Sequence, residues 1–234
     1  MIIKMDEEKQ TKKRVMLGFT GNSFSEKFLI GWTKFLIELM KNNEFDINLS
    51  QGYSKNSTYM RMSTLGLKSV QPINSKAFDG VEYDVFVSIE PTILFTYEQF
   101  KTLVNATDNH PVVSGIYYVN EKNIFAIEKL DYEKHSEHEM IKRETIDSYK
   151  DKVEKMIRVD FTGLGFFACR RTVLQTLDFP YFWHPIVIKY LEDGTPCNEV
   201  LSEELSFCKR IRDKGFRIVI HTELKVYNEQ VVLL

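Results

Sequence analysis

Two periodicities alternate along the 234-residue chain. Residues 14–20 (RVMLGFT) form an apolar run that closes on a Gly-Asn turn, the pattern of a buried strand. Ser23 and Glu26 have capping-box spacing. After them Phe28, Leu29, Trp32, Phe35, Leu36, Leu39 and Met40 recur at helical intervals, which predicts a helix ending near Asn42. Residues 45–49 read as a second strand, and residues 57–65 as a helix stopped by Gly66. Residues 84–89 (DVFVSI) are another buried strand. Thr96 and Gln99 then fit a capping box that opens a helix with Phe100 and Leu103 on its inner side. Residues 112–119 are strand-like. The densely charged segment 131–158 reads as a surface helix or an ordered insertion. Residues 161–169 read as a strand carrying two glycines. Residues 202–214 are a helix capped by Ser202 and stopped by Gly215, and residues 217–220 and 226–233 close the chain as strands. No repeat and no flexible linker interrupts this order. The pattern predicts one α/β domain with a mixed, mainly parallel central sheet flanked by helices.

Composition narrows the class. Hydrophobic residues make up 43% and aromatics 13%, with Gly 11 and Pro 6, which excludes a disordered or collagen-like chain. The 31 basic and 33 acidic residues leave a net charge of −2, so no nucleic-acid partner is expected. The run Lys12-Lys13-Arg14 reads as a solvated strand entrance. No apolar run is long enough for a transmembrane segment, and the first residues are too polar for a signal peptide. Cys169, Cys197 and Cys208 lack CxxC spacing. Reduced thiols and a cytoplasmic location are expected.

Four polar clusters fall where an α/β sheet places its ligands, beyond the carboxyl ends of strands. Thr20-Gly21-Asn22 follows the first strand, and its small residues allow a nucleotide to approach backbone N–H groups, though a plain turn would look the same. Glu90-Pro91-Thr92 ends the strand DVFVSI and puts a carboxylate where a cation could carry a diphosphate. Gly163-Leu164-Gly165 is a GxG without the remainder of a dinucleotide fingerprint. Glu203 and Glu204 open a helix, where acids complement the helix dipole. Either one could also serve as a general base. Trp183 and His184 lie in an aromatic loop (PYFWHP) that could form an acceptor wall or simply close the core. His135 and His138 are three apart with no third ligand nearby, and read as surface histidines.

Six segments in order resemble the GT-A glycosyltransferases, closest to family-2-like transferases of large phages and environmental viral sequences. They are RVMLGFTGNS, YSKNSTYMRMSTLG, YDVFVSIEPTILFTYEQFKTLV with VVSGIYYV, VDFTGLGFFACRRTVL, SEELSFCKRIRDKGFRI and KVYNEQVVLL. Tyr83-Asp84 and Phe95 frame the position of a DxD motif, and Arg170-Arg171 follow the Gly-x-Gly-Phe segment. The resemblance implies a single GT-A domain over 1–234, with a nucleotide-binding half at about 14–120, a charged helical insertion at 131–158 and an acceptor half at about 159–234. It implies a nucleotide-sugar donor and a glycan, protein or lipid-linked acceptor. Thr20, Gly21, Asn22, Tyr59, Arg61, Glu90 and Thr92 would bind the donor. Gly163, Gly165, Trp183 and His184 would face the sugars. Glu204, with Glu203 beside it, would deprotonate the acceptor in an inverting transfer.

Three positions depart from the family pattern. Thr92 stands at the second DxD acid, Asn228 at a late metal-binding histidine, and Glu204 at the basic aspartate. A site for Mn²⁺ or Mg²⁺ would then rest on Glu90 and Asn228, with less charge than hard cations favour. The resemblance therefore leaves three readings open: a transferase with weak or absent metal dependence, a degenerate domain that binds a nucleotide-sugar or glycan, and an interaction module.

Overall fold

Alternating side chains along the central strands divide the interior into two cores, one on each face of a single sheet. The computed structural model describes residues 12–68, 70, 72–120, 122–129, 140–149, 152–191 and 193–229. Its first half contains β1 (Lys13–Thr20), α1 (Glu26–Asn42), β2 (Phe45–Gly52), α2 (Ser57–Thr64), β3 (Val85–Ile89), β4 (Ile93–Leu94), α3 (Tyr97–Ala106) and β5 (Val112–Ile116). There follow β6 (Asn123–Ile127), β7 (Met140–Lys142), α4 (Arg143–Asp147), β8 (Met156–Val159), β9 (Phe161–Thr162), β10 (Phe166–Arg170) and α5 (Arg171–Thr176). The hairpin β11 (Ile186–Tyr190) and β12 (Pro196–Val200), α6 (Glu203–Asp213), β13 (Ile218–Lys225) and β14 (Tyr227–Asn228) complete the order.

The central sheet has seven strands in the order β2-β1-β3-β10-β5-β13-β8. β1 pairs in parallel with β2 and β3, and β5 with β13, whereas β10 and β8 are antiparallel to their neighbours. Five strands therefore run one way and two run back. This is the expected α/β class with a mixed, mainly parallel sheet flanked by helices. Val15, Leu17 and Phe19 of β1, with Val85, Val87 and Ile89 of β3, face a core shared with Phe28 and Phe35 of α1 and Phe100 and Leu103 of α3. Met16 and Phe86 point the other way, toward Met62 of α2, Leu174 of α5 and Phe207 and Ile211 of α6. Cys169 and Cys208 are buried in this second core as free thiols, as their apolar surroundings in the sequence imply. Burial pushes the Cys208 thiol up to about 12.

Several elements depart from expectation for local reasons. The segment 161–169 is not one strand: β9 and β10 are separate, and 163–165 crosses between two sheets, because β9 pairs with β6 while β10 joins the central sheet. Where described, 140–158 holds β7, α4 and β8 rather than one long helix. His135 and His138 lie outside the described residues, as does the end of the closing strand at 230–233. The hairpin β11–β12 and the short helix α5 were not anticipated. Part of the aromatic loop before the hairpin closes the core, one of the two roles open to it in the sequence. Tyr181 and Phe182 are core residues: Tyr181 Oη accepts from Ala77 N and donates to Leu174 O, and Phe182 stacks on Phe207.

The helix ends follow their capping chemistry. α3 begins with the expected box: Thr96 Oγ1 accepts from Gln99 N, and Gln99 Oε1 accepts from Thr96 N. α1 does not use Ser23. Its N-cap is Ser25, whose Oγ accepts from Phe28 N at 2.9 Å and also meets Glu229. Ser25→Ala is expected to lower stability by about 0.5–2 kcal/mol, whereas Ser23→Ala stays within about 0.5 kcal/mol. Urea or thermal unfolding of the two variants checks which serine caps the helix, and equal losses would count against Ser25.

Candidate functional site

The five co-directional strands end on one edge, and because β10 runs the other way its first residues lie there too. Thr20 ends β1, Glu90 follows β3, Tyr117 follows β5 and Gly165 precedes β10. Parallel pairing of β1 with β3 sets Thr20-Gly21-Asn22 against Glu90-Pro91-Thr92. A Cβ on Gly21 would lie 2.5 Å from the Pro91 ring. Thr20 Oγ1 is 3.4 Å from Thr64 Oγ1 of α2, and Asn22 Nδ2 donates to Ser54 O at 2.9 Å. β14 pairs with β4, and Glu229 N donates to Thr92 O at 2.9 Å, so Asn228 arrives beside the same loop. The loops named in the sequence are thus neighbours in space.

Their charged side chains meet at Arg61. This residue lies in the last turn of α2 and is buried. Its Nη2 donates to Glu90 Oε1 at 2.7 Å and also bonds Glu204 Oε1, while Nε lies 3.8 Å from Glu203 Oε1. The two glutamates are held by the start of α6, where Ser202 Oγ accepts from Leu205 N at 3.2 Å. Both are buried there. Leu164 N donates to Glu204 Oε1 at 3.3 Å, and Glu90 N donates to Gly165 O at 3.0 Å, so the 163–165 loop is laced to both acids.

The two glycines of that loop serve this packing. A Cβ on Gly163 would fall 1.9 Å from Tyr117 Oη, and one on Gly165 would fall 3.0 Å from Tyr117 Oη and 3.1 Å from Glu90 Oε2. The close approach expected toward a sugar is, in this structure, an approach to Tyr117, Phe125 and the Glu90 carboxylate. Tyr117 itself was missed in the sequence. Its buried hydroxyl accepts from Gly165 N at 3.1 Å, and burial, with the charges of Glu90 and Glu204, pushes it well above the usual phenol range.

Arg61 and Tyr59 face different ways, as residues two apart on a helix must. Tyr59 is exposed, while the guanidinium expected near a nucleotide is turned inward onto carboxylates. His184 reaches the cluster from outside: Nε2 lies 3.6 Å from Glu203 Oε2, and Nδ1 is 3.0 Å from Leu201 O. Trp183 sits next to it with the Arg210 guanidinium 4.6 Å above its ring. The basic pair Arg170-Arg171 lies at the opposite edge, where Arg170 bonds Thr107 O and Asp108 O and Arg171 reaches Glu82. Lys13 and Arg14 at that far edge are paired with Asp108 and Asp84.

Three acids against one base leave the cluster short of positive charge. Burial is the largest cause that pushes the Glu204 carboxyl up, to about 7. The charges of Glu90 and Glu203 add to it, against Arg61 and the Leu164 N–H. The opposite holds for Arg61: burial alone would lower it, and the charges of Glu204 and Glu90 raise it above its ordinary value. A carboxylate whose proton affinity lies near neutrality can accept a proton from a hydroxyl brought within hydrogen-bond reach.

No protein-family model matches the chain, and no curated protein matches it. Among solved structures, the crystal structure of A197 from STIV is similar over 95% of this chain and 97% of that chain, at 14% sequence identity and a TM-score of 0.49. The fold and its site define a mixed α/β domain with a buried Arg–Glu cluster at the carboxyl edge of its sheet. No helix among the described residues is long and apolar enough to cross a membrane.

The raised Glu204 has a consequence for stability. Its folded value of about 7 exceeds the ordinary 4.5, so the native state holds a proton that the unfolded chain releases. The stability from this group is complete below about 4.5 and is lost as pH rises through about 7. Unfolding free energy from urea titrations is expected to fall across this window more steeply in the wild type than in Glu204→Gln. Identical slopes would refute the assignment.

Proposed function

We propose that the chain is a glycosyltransferase of the GT-A type, which moves a sugar from a nucleotide-sugar to an acceptor hydroxyl with inversion. The observation that carries this reading is the placement of Glu204. It is buried at the N-terminus of α6, has a proton affinity near neutrality and stands across Arg61 from Glu90, at the edge where the Thr20–Asn22 and Glu90–Thr92 loops meet. The resemblance of the six segments to GT-A transferases supports the same assignment.

In this reading Thr20, Gly21, Asn22 and the exposed Tyr59 take the nucleoside, and the diphosphate lies toward Glu90 and Thr92. Trp183 and His184 border the acceptor side, with His184 next to Glu203. The acceptor oxygen attacks the anomeric carbon and a new C–O bond forms. The bond to the nucleoside diphosphate breaks, and its electron pair leaves with the diphosphate. The hydroxyl proton passes to Glu204. No metal is needed for this proton bookkeeping. A second reading, ligand binding without turnover, is favoured by the Arg61 contact, because a base already held by a guanidinium is a weaker base.

Thermal shift and donor hydrolysis against a panel of nucleotide-sugars, with Mn²⁺ and with EDTA, separate the two. At least one donor is expected to stabilise the protein and to be turned over. Glu204→Gln is expected to lower turnover by about 10²–10⁴-fold while keeping the thermal shift. Stabilisation without turnover favours the binding reading. Undiminished activity in Glu204→Gln removes that residue from its role, and no response to any donor overturns both readings.

A further inference from the structure

A divalent cation implied by the resemblance would rest on Glu90 and Asn228, with Thr92 at the place of the second acid. These residues do not fit one. Thr92 and Asn228 are neutral, and the single carboxylate among them already accepts from Arg61. Hard cations take six or more oxygens and depend on ligand charge for affinity. Among the described residues, no three His, Cys, Asp or Glu side chains are arranged to hold a metal ion.

What occupies the acids instead is one nitrogen. Arg61 Nη2 contacts both Glu90 Oε1 and Glu204 Oε1, so it stands where a cation shared by two carboxylates would stand. The acids reach it from β3 and from α6, 114 residues apart in sequence (204 minus 90). The third, Glu203, faces Nε. All of this is built into rigid surroundings: Leu164 N–H fixes Glu204, Gly165 O fixes the backbone of Glu90, and α2 delivers the arginine from its last turn. A guanidinium cannot lose its proton in this range, so the positive charge is permanent.

We propose that Arg61 is a tethered cation that keeps divalent metal out of this cluster, and that removing its charge opens a two-carboxylate metal site between Glu90 and Glu204. The site is the one used in the transferase reading, but metal binding is read without turnover, so either idea can fail while the other stands.

The experiment is titration of the full chain with Mn²⁺ alone, followed by calorimetry and thermal unfolding, for the wild type, Glu90→Gln, Arg61→Ala, Arg61→Gln and Arg61→Ala/Glu90→Gln. The wild type is expected to show no Mn²⁺ binding and the same Tm in EDTA. Arg61→Ala and Arg61→Gln are expected to unfold at lower temperature in EDTA. Mn²⁺ at about a hundredfold its Kd should raise their Tm by roughly 5–10 °C. The double variant should lose that response. Mn²⁺ binding by the wild type that Glu90→Gln abolishes would overturn the exclusion. Folded Arg61 variants that ignore Mn²⁺, or variants that Mn²⁺ does not help to fold, would overturn the opened site.

Discussion

A guanidinium enclosed by carboxylates is tolerable inside a protein only if its hydrogen bonds are met, because desolvating the charges costs several kcal/mol per ion. Arg61 has two carboxylates hydrogen-bonded to Nη2 and a third ion-paired at Nε, all from distant parts of the chain, and the surrounding elements are arranged to bring them there. α2 must lie on the face of the sheet that also carries α6. The Ser202 cap must start α6 at Glu203. The 163–165 loop must pass close enough for the Leu164 N–H to reach Glu204. Loss of the arginine alone would leave buried acids without a counter-charge, the situation that typically costs about 3–5 kcal/mol. The cluster is thus a condition on the fold as much as a candidate site.

Strand direction explains why the cluster sits where it does. Had β10 run parallel to β3 and β5, its glycine-bearing start would lie at the far edge, with the Arg170–Asp108 contacts. Reversed, it brings Gly165 N to Tyr117 and Gly165 O to Glu90, while Arg170 and Arg171 tie the opposite edge to Thr107, Asp108 and Glu82. One reversed strand therefore divides its own two ends between a polar edge and a structural one.

Legibility in the sequence followed the range of the interaction. α1, α3 and α6 repeat their apolar residues every three or four positions and end on local caps, so they could be read directly. The capping serine of α1 was misplaced by two residues because Ser23 and Ser25 both precede Glu26, and only the Phe28 N–H decides between them. The β11–β12 hairpin carried a signal that went unread: Asp193-Gly194 between Ile186-Val187-Ile188 and Val200, the Asp-Gly pair of a tight turn. The strand pair around Gly163 and Gly165 looked continuous because both halves are apolar, and only sheet pairing separates them. Of the four clusters, Thr20–Asn22 and Glu90–Thr92 were visible as polar ends of strands and Glu203-Glu204 as a helix start, whereas 163–165 was hidden inside an apparent strand. What no local pattern contained was the inward turn of Arg61, whose partners lie 29 and 143 residues away.

The same imbalance of charge that raises Glu204 also limits what the edge can bind. With all three acids ionised, Arg61 leaves a net negative cluster, and an anionic diphosphate placed beside Glu90 would be repelled. With Glu204 protonated the repulsion falls, but the group then cannot take a second proton. In the proposed transfer a donor would therefore enter most easily against the protonated acid, whereas proton abstraction would need the ionised one. Burial raises the Glu204 carboxyl toward neutrality, so both forms are accessible there and neither requirement excludes the other. An acid of ordinary affinity would be ionised throughout, and the negative charge would then oppose the ligand at every stage. Burial of Glu204 beside two further glutamates is what moves it into that range, which ties the chemistry proposed for this edge to the packing of α6 against the 163–165 loop.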